Sequence, residues 1–208
     1  MNPSPTFDRV YGEIRQRAMS GVWLPGQRID LPHLSDDLGA STTPVRDALN
    51  RLIGERVLMT GTNDGFAMPG MTEPDLCDMY DWLHQLLLLA TRRRPNRSAT
   101  ERAPDDDDRR NATFPALFAA IADRCSNVEL SAAIIAVEAR PAPAHVAEHR
   151  LLGGEEELTG LSRAVSSGDP AIIRSRLAMW HRRRIHAAGR IVQLLHRPDH
   201  PRATGGGA

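Results

Sequence analysis

Ser41, Thr42, Thr43, Pro44, Arg46, Asn50 and Arg51 crowd into one short stretch of the chain. Consecutive hydroxyls can hold phosphate oxygens. An arginine can grip the O6 and N7 edge of guanine with two parallel hydrogen bonds, and asparagine can do the same for adenine. Arg46 and Asn50 are four residues apart, so a helix places them on one face. This is the chemistry of recognition rather than of bond breaking. The chain has no Gly-x-Ser-x-Gly elbow, no Walker loop and no dinucleotide fingerprint. All 26 basic residues are arginine. The absence of lysine excludes Schiff-base catalysis and a phosphate-binding Walker lysine. No catalytic residue is assigned.

Other residue sets are weaker candidates. His145 and His149 are four apart, as metal-binding pairs on a helix are, but surface histidines in a polar segment are the commoner case. Glu148 lies in the wrong place for the His-Glu-x-x-His protease pattern. Four consecutive aspartates, Asp105 to Asp108, suit a solvated loop better than a cation site. Arg182, Arg183 and Arg184 read as a solvated face or a dimer contact. Cys77 and Cys125 lack metal spacing and read as small buried side chains.

The recognition residues need a scaffold, and the flanking pattern supplies one. Phe7, Val10, Tyr11, Ile14 and Ala18 have helical spacing, after a loose end at residues 1–5. Gly21 stops that helix, and Leu24-Pro25-Gly26 turns the chain. Asp30 can cap a second helix, in which Leu34 and Leu38 face inward. Gly39 supplies the backbone freedom of a tight turn. Thr43 then reads as an N-cap and Pro44 as the first residue of a third helix, with Val45, Ala48, Leu49 and Leu52 as its buried stripe. Two short strands, Val57-Leu58-Met59 and Phe66-Ala67-Met68, flank Gly61-Thr62-Asn63-Asp64-Gly65, a hairpin sequence rich in residues that accept positive φ. Three helices and a hairpin make a winged helix-turn-helix, and the hairpin is its wing.

After Pro69-Gly70 the pattern is helical throughout. Thr72 caps a helix carrying Leu76, Met79, Tyr80, Leu83, Leu87 and Ala90. Residues 92–111 read as a solvated loop of mixed charge. Further helices are predicted over 114–124, 128–139, 144–152, 155–166 and 171–195, and a disordered tail over 199–208. The fold class is therefore mostly α. Residues 1–70 form a winged helix-turn-helix, and residues 71–198 an all-α bundle for dimerisation or effector binding.

Formal net charge is +0, and the first 70 residues hold seven arginines against eight carboxylates, so any binding of nucleic acid must concentrate its positive charge on one surface. No run approaches the roughly 20 apolar residues that cross a bilayer. The first residues lack a signal pattern, so the expected location is cytoplasmic, with no membrane partner.

The chain resembles the GntR family of bacterial transcription regulators. The resemblance rests on Ile14, Gly21, Leu24-Pro25-Gly26, Leu38-Gly39, Ser41, Thr43 to Leu49, Arg51-Leu52 and Gly65, and covers residues 7–68. The second half is similar to a shortened FCD effector domain of the FadR-like branch, through Asp75-Leu76, Asp78 to Asp81, Ile121 to Asn127, Ala164-Val165 and Gly168-Asp169. The resemblance implies that Ser41, Thr42, Thr43 and Arg46 contact double-stranded DNA. It also implies that Arg46 reads a base edge and that Gly65 approaches the minor groove. Many relatives carry arginine where this chain has Thr42.

Many FCD domains bind a divalent metal through one aspartate and three histidines. Phe114, Phe118, Leu158 and Trp180 fall on those positions, and none can ligate. The resemblance thus implies no metal and no cofactor, and either a filled core or, with Tyr80, a pocket for an apolar small molecule. The expected function is a ligand-responsive homodimeric repressor on a near-palindromic operator. Its rivals are a regulator whose second domain only dimerises and a metal-dependent sensor using His145 and His149.

Overall fold

The computed structural model describes residues 5–92 and 113–196. Residues 1–4, residues 93–111 of the expected solvated loop, the Asp105 to Asp108 run and the tail 199–208 lie outside the described residues. The described parts of 1–72, 142–147 and 190–208 form one compact unit, and those of 73–141 and 148–189 another.

The first unit opens with helix α1, Pro5–Met19, which buries Val10, Ile14 and Ala18 along one stripe. It starts two residues before Phe7 because proline loses nothing in a first turn, where the N–H has no helical partner. Helix α2, Leu31–Asp37, is capped as expected: the Asp30 carboxylate accepts the His33 N–H at 2.9 Å. Gly39 then turns the chain at φ +55°, a conformation that a Cβ disfavours. Helix α3, Thr42–Gly54, buries Val45, Ala48, Leu49 and Leu52, and packs chiefly on α1.

Two expectations for this unit change. The N-cap of α3 is Ser41, not Thr43, so Pro44 sits inside the first turn. Proline is tolerated there for the reason that holds at Pro5. The hairpin strands are shorter than predicted, and a third strand joins them. Strand β1, Arg28–Ile29, pairs antiparallel with β3, Phe66–Ala67, which also pairs with β2, Met59–Thr60, giving the order β1-β3-β2. Val57 and Leu58 are buried but not in a strand; both backbone N–H groups return to the Leu52 carbonyl, closing the C-terminus of α3. At the wing tip, Asn63 and Asp64 take the positive φ values, 56° and 54°, while Gly65 is at φ −80°.

Beyond residue 72 the chain is built on helices, whose residues 73–141 and 148–189 make up the second unit, and among the described residues no strand follows β3. Helix α4 is Glu73–Arg92, α5 Phe114–Asp123, α6 Val128–Glu138, α7 Ala142–Leu152, α8 Glu155–Ser167 and α9 Pro170–Leu195. Local caps explain several of the boundaries. Thr113 Oγ1 accepts from Ala116 N–H, and Asn127 Oδ1 from Leu130 N–H. Pro143 lies in the first turn of α7, where its missing N–H costs no helical bond. Gly168 ends α8 in the left-handed conformation at φ +71°. The Arg124 guanidinium closes the same end, donating to the Val165 carbonyl at 2.8 Å. Among the described residues no helix is long and apolar enough to cross a membrane.

Candidate nucleic-acid interface and the interior of the helical unit

Burial of the Val45, Ala48, Leu49 and Leu52 stripe turns the opposite side of α3 to solvent. Ser41, Thr42, Thr43, Arg46 and Asn50 are all exposed, and Pro44 is half-buried. Ser41 makes no side-chain cap hydrogen bond, so its hydroxyl is not spent on the helix end. The first N–H groups of α3 have no partner within the helix, which makes this end attractive to anions. Among the described residues the exposed Arg46 guanidinium makes no hydrogen bond or ion pair, so its donors are available.

Arg51 is placed differently. Its guanidinium lies 4.3 Å from the centroid of the Tyr11 ring, and its Nε donates to Glu55 Oε1 at 3.1 Å. The Tyr11 hydroxyl donates to the same carboxylate at 2.7 Å and 2.8 Å. Burial, then the hydrogen bond to Glu55, raises the pKa of the Tyr11 phenol. Arg51 thus ties α3 to α1, although half of its side chain stays accessible. At the wing, a Cβ on Gly65 would lie 3.2 Å from the Thr62 carbonyl oxygen and 3.5 Å from the guanidinium of Arg28.

Within the second unit the predicted aromatic residues do converge. Trp180 meets Phe118 edge-on at 5.0 Å, Tyr80 edge-on at 5.8 Å and Phe114 at 6.2 Å between ring centroids. Leu158 is only half-buried. The interior is not wholly apolar, because a charged group lies at its centre. Arg184 is 2% exposed, with its guanidinium 4.5 Å from the Trp180 ring centroid and 4.7 Å from that of Phe114. It donates from Nε to Glu148 Oε2 at 3.0 Å and from Nη1 to Glu157 Oε2 at 2.9 Å. The Tyr80 hydroxyl donates to the other Glu148 oxygen. Burial, then the Glu148 charge, pushes the Tyr80 phenol far above its ordinary range, so it remains a donor. Arg183, with Nη1 at 3.7 Å from Glu157 Oε2, balances the second carboxylate. The buried Trp180 Nε1 has no acceptor among the described residues.

Beside this cluster His181 approaches Asp81, and its ring stacks on His84 at 4.3 Å. His149 is exposed and His145 half-buried, and no group of three or more His, Cys, Asp or Glu among the described residues is placed to hold a metal ion.

Residues 6–67 match the family described as "Bacterial regulatory proteins, gntR family". This stretch is a GntR-family domain. An HTH-type transcriptional regulator of Bacillus subtilis, YdhC, is 27% identical to the chain over 78 residues, which are 38% of this chain and 35% of that protein. The Nta operon transcriptional regulator of Aminobacter aminovorans is 41% identical over 64 residues, 31% of this chain and 30% of its own length. The matches thus span about a third of these curated relatives. The solved structure of E. coli McbR/YncC superposes with a TM-score of 0.68, covering 90% of this chain and 99% of that one at 20% identity. That likeness is one of fold, and it extends well past the GntR domain.

Three functional or structural side chains escaped the sequence pattern. In the GntR domain, Arg28 belongs to a two-residue strand, too short for alternation to reveal. On α9, Arg184 was readable: Leu177, Trp180, Arg184 and Ala188 follow one helical stripe, and all are buried. Its charge and its neighbours in Arg182-Arg183 concealed that register. Glu148 is the partner that makes such a burial tolerable, 36 residues away in sequence.

Proposed function

We propose that the chain is a cytoplasmic transcription regulator that binds double-stranded DNA through α3 as a homodimer, with residues 1–70 as the DNA-binding domain and residues 71–198 as an FCD-like domain for dimerisation and effector binding. The carrying observation is the unpaired, exposed Arg46 beside the uncapped hydroxyls of Ser41, Thr42 and Thr43 on a helix whose other face is fully buried. Arg46 and Asn50 read base edges. The hydroxyls and the helix N-terminus hold phosphates, and Gly65 brings the wing against the minor groove. Arg51 contributes through the seating of α3 on α1. A two-fold dimer presents two such helices, so the operator is near-palindromic. The GntR resemblance makes repression the expected sign. Support for a second copy comes from α6, which is mostly apolar yet leaves Val128 79% and Ile135 49% exposed.

The test is selection of duplexes from a random-centre pool by the full chain, followed by titration of a selected duplex. Enrichment of a palindrome supports the proposal. Absence of any enrichment at low salt refutes it.

For the effector, two readings have support. The buried, acceptor-free Trp180 Nε1 beside Arg184 favours a small ligand bearing a hydrogen-bond acceptor. The pairing of Arg184 with both Glu148 and Glu157 favours a helical unit that assembles without one. A thermal-shift screen of small carboxylic acids separates them: a hit that also weakens DNA binding supports the first.

A further inference from the structure

We propose that Arg28, on strand β1, is the wing's own DNA contact: its guanidinium reaches a backbone phosphate beside the groove that Gly65 approaches. This rests on the DNA-binding reading above and extends it to a residue outside the helix-turn-helix. Three observations carry it. The first concerns charge. Among the described residues of the three strands and the turn 61–65, Arg28 is the sole cation, and the turn itself holds the exposed acid Asp64. A duplex carries one negative charge per ~1.7 Å of its axis, so a wing with Asp64 alone would be repelled from it.

The second observation is the fit of Arg28 to Gly65. Pairing of Arg28 with Ala67 across β1 and β3 fixes the root of the side chain next to the turn. Nε and Nη2 then lie 3.5 Å from where a Cβ on Gly65 would stand. Gly65 is at φ −80°, which any residue can adopt, so its backbone angle does not explain the glycine. The tight neighbour of a Cβ there would be the Thr62 carbonyl oxygen at 3.2 Å, and the guanidinium lies over the same bare backbone at ordinary contact distance.

The third observation is that the guanidinium is uncommitted. Arg28 is exposed, and among the described residues it makes no hydrogen bond or ion pair. By contrast Arg9, Arg17 and Arg51 in the same unit are each bonded to a carboxylate. A planar fork of free donors on an exposed edge is suited to phosphate oxygens. It also supplies positive charge that Thr42 does not.

The test measures affinity of the full chain for one selected duplex across a salt series, for wild type, Arg28→Gln, Arg28→Lys and Arg46→Ala. Arg28→Gln is expected to weaken binding on every duplex alike and to make the slope of log K against log salt shallower by roughly 2, one phosphate per protomer at ~0.9 each. Arg28→Lys keeps the charge and should hold the wild-type slope, which also controls for misfolding. An unchanged slope and affinity in Arg28→Gln, with Arg46→Ala impaired, overturns the Arg28 assignment alone. A loss confined to one base pair at constant slope overturns the phosphate contact. Failure of the wild type to bind any duplex overturns both the function and this inference.

Discussion

Arg184 Nε donates to Glu148 Oε2 at 3.0 Å, and the two side chains are only 2% and 7% exposed. An ion pair so far from water loses hydration that its own attraction only partly restores, so the surrounding bonds decide the balance. Here Glu157 and the Trp180 carbonyl accept from Arg184 Nη1, and the Tyr80 hydroxyl donates to the other Glu148 oxygen. Removing one partner is therefore worse than removing both. Glu148→Ala should destabilise the chain by about 3–5 kcal/mol, and Arg184→Met with Glu148→Leu should recover much of the loss. Urea unfolding measures both. A double variant no better than the single would show that the pair itself supplies the stability.

Arg46 has the opposite situation, exposed and without a partner among the described residues. Arg46→Ala should leave the melting temperature unchanged. It should cost on the order of 1–3 kcal/mol in operator binding and relax base preference at one position of each half-site. Fluorescence anisotropy on single-base operator variants reads this. Equal weakening on every variant would reassign Arg46 to a phosphate.

Gly168 is needed for two reasons at once. Its φ of +71° disfavours a Cβ, and a Cβ there would stand 2.7 Å from Arg124 Nη2. Gly168→Ala should lower stability by roughly 1–2 kcal/mol from the backbone conformation, with a further loss from displacing Arg124. Arg124→Ala should shrink the effect of the second substitution, a coupling that a double-mutant cycle measures.

His84 gives the helical unit a sensitivity to acid. Burial lowers its pKa, the neighbouring His181 lowers it further, and Asp81 opposes both. The unfolded chain takes up this proton near the ordinary value of 6.5, whereas the folded chain resists. Unfolding thus binds a proton in the window below 6.5, and stability rises with pH there. The contribution is full above that value and is lost as pH falls through it towards the lower folded pKa. Denaturation midpoints at pH 5 and pH 7.5 should differ less in His84→Gln than in wild type. An identical pH response in both would remove His84 as the cause.

What the sequence by itself determined is what short-range chemistry controls. Asp30, Asn127 and Gly168 act on backbone groups within a few residues, so they mark helix ends wherever the helices go. The apolar stripes of α1, α3 and α4 are periodic in the chain itself, and they alone turn Arg46 and Asn50 outward. The winged helix and the all-α second unit were legible for that reason.

The fates of the arginines were decided by tertiary structure. Arg28, Arg46, Arg51 and Arg184 are one residue type with four environments: on the wing glycine, in open solvent, on Tyr11 and Glu55, and buried between two carboxylates. A guanidinium on a long, flexible stem can serve any of these. Which one it serves depends on the charges and rings brought near it by residues that lie 36 or 37 positions away, as for Glu148 with Arg184 and Gly65 with Arg28. Electrostatic energy depends on separation in space and on exclusion of water, and neither is set until the chain has folded.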